Sequence, residues 1–421
     1  MMPGDASDIG VIGVPELGAW AERGDLAPVP AALRSADHPF QWTGLLHEYR
    51  EQLISWGGQA LAIPLAGDGY VIAYRADRLK DPKFVAEFQA QFGSRPIAPA
   101  SWEDFADIAG VLAKLDGRPS LPPMTANELT DAFFRVAACC DRAAKTESIK
   151  DQSNLGGGVE ALAFQFDLTT GKPRLTSPAF EAAAAWVEDL ARRKCLLPLA
   201  PGDASDPVSA LTARDGASIA VVSLGQLARL PRENGVIPDR FAIAPLPGSR
   251  RVMDAATGKL AMRTNPNYIP YFAGGRLGVV RTRCPNTVAA FDLLAELGGP
   301  VRSQEVIAST QLGAGPFRIS HLEHDRLQLW YGYGFDAART EALRSALLRY
   351  VDQEIKNPTY GLRGPDQMPL SASVAATMRK IATGTSAKAG LDQMIDEWKQ
   401  VDAKDTEASL LKWRRRAAGV E

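Results

Sequence analysis

Apolar positions along the chain fall into short continuous runs and helical stripes that follow one another in turn. Ile9 to Val14 is an apolar run ended by Pro15, and the ELGAWAERG that follows reads as a helix stopped by Gly24. Leu45, Leu46, Tyr49 and Leu53 recur at helical spacing, and two short strands then flank the turn Ala66-Gly67-Asp68-Gly69. This alternation of strand and helix predicts an α/β lobe with a largely parallel sheet.

Residues 95–101, RPIAPAS, read as a connection, and Ser101 opens the clearest helix of the chain. Ser101 with Asp104 forms a capping-box pattern, and Gly117 stops the helix. Trp102, Phe105, Ile108, Ala109, Leu112 and Leu115 make its apolar stripe. A further helix begins at Ser177-Pro178, with proline at its first position. Continuous apolar runs at Ile219 to Val222 and Phe241 to Ala244 predict strands covered on both faces, and with them a second α/β lobe over residues 101–270. Beyond Ser320 helical spacing dominates, and those helices are expected to pack on the second lobe.

One unit stands apart. Gly274 and Gly275 precede a short strand, Leu277 to Val280, and a turn with Pro285 and Asn286 leads into a helix. The inner face of that helix is expected to carry Val288, Phe291, Leu294 and Leu297. Its core must come from elsewhere in the chain.

Length and charge narrow the picture. At about 150 residues per domain, 421 residues suggest two or three domains, and 46% hydrophobic content supplies sizeable cores. A net charge of -2 gives no field for nucleic acid, and the basic run Lys412 to Arg416 reads as a solvated helix end. The four cysteines have no metal-ligand spacing. Gly156 to Gly158 lacks the lysine and hydroxyl of a phosphate loop and reads as a flexible loop. His321, Glu323, His324 and Asp325 do not match HExxH and read as a surface loop. With no G-x-S-x-G elbow and Glu103-Asp104 explained by capping, no catalytic residue, metal or cofactor is expected. No apolar run approaches the about 20 residues of a membrane span, and no export signal is visible.

Several segments, taken in order, resemble one family. They are PELGAWAERGDLAPV (15–29), GGQALAIPLAGDGYVIAYRADRL (57–79), PASWEDFADIAGVL (99–112), LTSPAFEAAAAWVEDL (175–190), GASIAVVSLG (216–225) and FAIAPLPG (241–248). AGGRLGVV (273–280) with PNTVAAFDLL (285–294), and GTSAKAGLDQMIDEWKQV (384–401), complete the series. Together they are similar to the extracellular solute-binding proteins of ABC importers, in their large carbohydrate-binding group. The resemblance implies an α/β, two-lobe periplasmic-binding-protein-like fold with a ligand cleft and crossing hinge strands. Lobe one would hold residues 1–98 plus 275–318, and lobe two 99–272 plus 319–421. The glycine pair would return the chain to lobe one. The implied protein is a monomeric, non-enzymatic component, periplasmic or extracellular, that passes a carbohydrate or polyol to a membrane permease. Family members usually carry an export signal, a strand, a helix and a second strand before the part matching Pro3 to Pro15. The expectation is that the start codon is assigned too far downstream. A saccharide-acting hydrolase or lyase, and a ligand sensor without transport, stay open as alternatives.

Sugar recognition needs flat apolar faces and polar groups of fixed geometry, and loops at strand ends supply both. By family position the cleft would be lined by Glu16, Asp68, Tyr70, Gln226, Gly275 and Arg276, joined by Arg318, Trp330 and Tyr331. Arg276 stands where many members carry an aromatic, which suggests a polar or anionic ligand group. Asp68 as a turn residue and Glu16 as a helix N-terminal acid are equally good readings of those positions.

Overall fold

The computed structural model describes residues 7–144, 162–200, 202–254, 256–355 and 357–420, so the triple glycine at 156–158 lies outside the described residues. The strands that place the site are β1 (Ile9–Gly13), β2 (Ala62–Ala66), β3 (Tyr70–Arg75), β4 (Ile219–Ser223), β5 (Phe241–Ala244) and β6 (Arg276–Val280). The helices are α1 (Trp102–Asp116), α2 (Ala126–Asp141), α3 (Pro178–Arg192), α4 (Thr287–Gly298), α5 (Ala337–Tyr350), α6 (Gln367–Ala382) and α7 (Ala387–Asp402).

The strand that stood apart in the sequence is the middle of the first sheet, whose order is β1-β6-β2. It pairs antiparallel with both neighbours, Ile9 opposite Val280 on one side and Val279 opposite Ala62 on the other. The expectation of a largely parallel sheet is thereby corrected. β1 and β2 run in the same direction, but the strand that returns from far along the chain lies between them and runs against both.

Leu277, Val279 and Val280 are fully buried, and α4 covers them with Phe291 and Leu294. Val288 and Leu297, expected on the inner face, are 59% and 45% exposed. The helix instead buries Ala290, Phe291, Leu294 and Ala295, a narrower arc with the same centre, and Val288 and Leu297 fall at the two edges of the expected face.

The second sheet has the order β4-β3-β5, again all antiparallel. Its central strand is Tyr70–Arg75, which was expected in lobe one. The chain crosses at residues 67–69, directly after β2, and the following helix Pro82–Phe92 packs on α1. Residues 70–98 therefore belong with the second sheet.

Helix α1 starts and stops where its caps require. Ser101 Oγ accepts from the Asp104 amide at 3.1 Å, Asp104 Oδ2 accepts from the Ser101 amide at 3.1 Å, and Gly117 takes the left-handed φ of 65°. Its stripe is buried except for Leu115, which is 42% exposed. Trp102 meets Trp186 of α3 edge-on at 5.3 Å, and the Trp186 indole donates to the Trp102 carbonyl at 2.8 Å. α6 and α7 pack on α3, and α6 also on α2, which ties the C-terminal helices to the second sheet.

At the crossing the backbones come very close. Gly67 and Gly315 exchange amide-to-carbonyl bonds of 3.0 and 2.9 Å. A Cβ on Gly315 would stand 2.0 Å from the Asp68 carbonyl oxygen, an overlap that backbone atoms cannot relieve by rotation. We predict that Gly315→Ala lowers unfolding stability by about 2–3 kcal/mol, measured by urea titration. An unchanged midpoint would show that this crossing accommodates a methyl group.

Candidate functional site

Helix α2 is apolar around most of its circumference, yet Glu128, Asp131 and Arg135 recur at i, i+3 and i+7 and so share one face. Glu128 has a structural task. Its Oε2 accepts from the Thr125 amide at 2.7 Å and from the Thr125 hydroxyl at 2.9 Å, closing a capping box; Oε1 takes no bond among the described residues. Arg135 is 4% exposed, and its guanidinium carbon lies 4.1 Å above the Tyr70 ring and within 6 Å of the Tyr271 and Tyr350 rings. Cation–π attraction to three rings offsets part of its desolvation. Arg135 Nη1 is buried without a hydrogen-bond partner.

Asp131 lies one turn before Arg135, the usual spacing for an ion pair, but no such pair forms among the described residues. What acts on its carboxyl is burial first, then the charges of Arg135, Asp68 and Glu128. Burial, with the push of the two neighbouring carboxylates and against the pull of Arg135, raises its pKa to about 6.

Two cavities meet at this residue. One, of about 140 Å³, has Tyr70, Phe105 and Trp186 in its walls together with Glu128, Asp131, Arg135 and Gln226. The other, of about 170 Å³, runs from Asp131 to Pro15, Tyr271 and Gly361, and so reaches from α2 to the end of β1. Flat aromatic walls with a few convergent polar groups are what a small polar ligand needs.

Asp68 joins this cluster from the crossing. Its carboxylate accepts from the Gly69 amide at 3.0 Å, with the Gly274 amide and the Tyr350 hydroxyl near it, and its own amide donates to the Tyr49 hydroxyl at 3.0 Å. Burial raises its pKa against the pull of Arg135 and these bonds. Asp68 therefore both ties the turn and supplies charge to the site.

The other expected residues are distributed unevenly. Tyr70 and Gln226 line the first cavity, where Gln226 also caps a short helix by accepting from the Ser223 amide at 2.9 Å. Glu16 is exposed beside Pro15, with Oε2 accepting from the Gly13 amide at 2.7 Å, as a helix N-terminal acid would. Gly275 takes φ +111° and backs onto the Tyr49 hydroxyl, while Arg276 is exposed at the start of β6.

Arg318 and Trp330 are not available to a ligand. Arg318 is 1% exposed and donates to the carbonyls of Gly298, Gln41 and Phe40 at 2.8, 3.2 and 2.8 Å, with burial pulling its pKa down to about 10. Trp330 is fully buried and donates to the His321 carbonyl at 3.0 Å. Tyr331 is 48% exposed. The glycine interleaving around these aromatics thus marks turns against the core rather than a ligand wall.

Asp131, Arg135, Phe105 and Trp186 escaped the sequence reading. Their one signal was the charged i, i+3, i+7 face on an otherwise apolar helix. His321, from the HLEHD run, is buried with Nε2 2.9 Å from Ser303 Oγ, and burial holds the imidazole neutral with a pKa of about 3. His324 of the same run is exposed. Among the described residues no cluster of metal-ligating side chains occurs, and no helix is long and apolar enough to cross a membrane.

Two predictions follow from these placements. Because the folded pKa of Asp131 lies above the ordinary 3.8, the folded protein binds more protons between those values, and stability falls as pH rises through about 6. Above that the full penalty, about 3 kcal/mol, is present. Asp131→Asn should therefore raise the melting temperature at pH 7.5 and lose that advantage near pH 4, with Glu128, Arg135, Asp68, Tyr70, Tyr271 and Tyr350 left in place. Arg318→Ala should cost about 3 kcal/mol in urea unfolding by orphaning three carbonyls, without changing ligand affinity in calorimetry.

No family model and no curated protein matches the chain. Solved structures do. Maltose-bound MalE3 of T. maritima superposes with a TM-score of 0.62 at 15% identity, covering 94% of this chain and 84% of that one. UgpB from Mycobacterium tuberculosis, in complex with glycerophosphocholine, gives 0.61 at 16% identity, covering 95% and 85%. An ABC transporter solute-binding protein from Thermotoga lettingae with bound alpha-D-tagatose gives 0.60 at 13% identity, covering 94% and 85%. Likeness over nearly the whole chain, with two antiparallel three-stranded sheets joined by glycine-rich crossings, establishes that this chain has the two-lobe fold of the ABC transporter solute-binding proteins.

Proposed function

We propose that this chain is the substrate-binding component of an ABC importer, and that it captures a carbohydrate or polyol between two closing lobes without breaking a bond. Lobe one is the β1-β6-β2 sheet with α4, and lobe two is the β4-β3-β5 sheet with α1, α2 and α3. Asp68 stands at the junction.

The observation that carries this reading is the aromatic-walled cavity beside the crossing, lined by the half-buried Asp131 and by Arg135, whose Nη1 is buried without a hydrogen-bond partner among the described residues. Buried polar groups left open in this way recover their desolvation cost only when a ligand with matching donors and acceptors fills the space. The first cavity is lined by lobe two, and the second brings Pro15 of lobe one opposite Asp131, so a ligand spanning them would favour the closed arrangement and shift a hinge equilibrium. The ligands bound in the similar structures, maltose and alpha-D-tagatose among them, support a sugar. A permease partner, a monomeric state and a site of action outside the cytoplasmic membrane belong to the same proposal.

The test is calorimetry of the full chain against mono- and oligosaccharides and polyols, with chromatography of the same mixtures and small-angle scattering. Expected are binding of at least one compound, unaltered compound after incubation, and a smaller radius of gyration when bound. Chemical conversion of the ligand would overturn the reading, as would the absence of binding across the panel.

A further inference from the structure

The α2 cluster holds more negative than positive charge, and among the described residues no ion pair is made by Asp68, Glu128 or Asp131. Glu128, Asp131 and Arg135 line the first cavity, Asp68 lies close enough to act on Asp131, and among the described residues Arg135 is the one positive charge acting on Asp131. The Asp131 carboxylate reaches both cavities, and Glu128 Oε1 is unbonded beside it. Arg135, 4% exposed, lies over Tyr70 and leaves Nη1 without a partner in the wall of the first cavity.

These facts constrain the ligand. An anionic group would meet the Glu128 and Asp131 carboxylates, with Asp68 close by, as water leaves the closing cleft, which costs more than one arginine returns. Of the polar or anionic ligand group suggested by Arg276, which is exposed at the start of β6, this cluster favours the polar and not the anionic one. A neutral sugar can donate hydroxyls to the carboxylates but leaves their excess charge buried. An ammonium group removes one charge and makes charge-assisted bonds, roughly twice as strong as neutral ones. The ring and hydroxyl oxygens of the same ligand supply the acceptor that Arg135 Nη1 lacks.

We propose that the preferred ligand is an amino sugar, its ammonium group held between Asp131 and Glu128 and an oxygen facing Arg135. This rests on the carbohydrate-binding reading above.

The experiment is calorimetry of the full chain at pH 7.5 with glucosamine, galactosamine, mannosamine and the β-1,4-linked glucosamine dimer. Each is measured beside its N-acetylated form and its neutral parent. At least one amine is expected to bind about tenfold or more tighter than both its partners. Asp131→Asn should cost that amine about tenfold more than it costs the neutral parent. Glu128→Gln, which retains the capping pattern, should act in the same direction. Equal or tighter binding of the neutral parents, or equal losses in the variants, would overturn the amine while leaving carbohydrate binding intact. Absence of binding throughout the panel would overturn both.

Discussion

The contact on which this molecule depends is the backbone pairing of Gly67 with Gly315, beside the Asp68 carboxylate. At that point the chain passes from one sheet to the other, and nearby the segment before β6 brings it back. Asp68 accepts from the Gly69 amide and its carboxylate lies against Gly274, so it touches both the outgoing and the returning chain. A side chain on Gly274 would collide with that carboxylate, its Cβ falling 2.3 Å from Oδ2. The glycine pair is therefore a requirement of the crossing, and the central position of β6 in the first sheet follows from it.

That arrangement gathers charge where it is costly. Asp68, Asp131, Glu128 and Arg135 meet among Tyr70, Tyr271 and Tyr350, and burial raises both aspartates. A fold optimised only for stability would pair Asp131 with Arg135 one turn away or replace both with apolar residues. Keeping an unpaired carboxylate beside a cavity is the signature of a site that sacrifices stability for binding. Arg318 is the contrast: equally buried, it spends its donors on three main-chain carbonyls and serves the core.

The capped helix at Ser101 was legible because its start and stop signals are local, and so were strands β3 to β6 as apolar runs between turns. Tyr70 and Gln226, expected from loops at strand ends, line the first cavity, while Asp68 sits at the crossing outside both cavity linings. Asp131 and Arg135 were not, since a helix interior is the wrong place to look when loops are expected to carry function. Arg318 and Trp330 misled because a polar or aromatic residue near glycines looks the same in sequence whether it faces a ligand or a carbonyl.

By itself the sequence determined the helix caps and the apolar runs that become strands, because each depends on residues within a few positions, whereas Gly67, Gly274 and Gly315 are required by contacts with distant parts of the chain. Only the tertiary structure decided that β6 lies between β1 and β2, that β3 belongs to the second sheet, and that α2 brings its acids beneath Asp68. Those outcomes join residues far apart in the chain. They are set by which apolar faces can be buried together, and no local pattern records that choice.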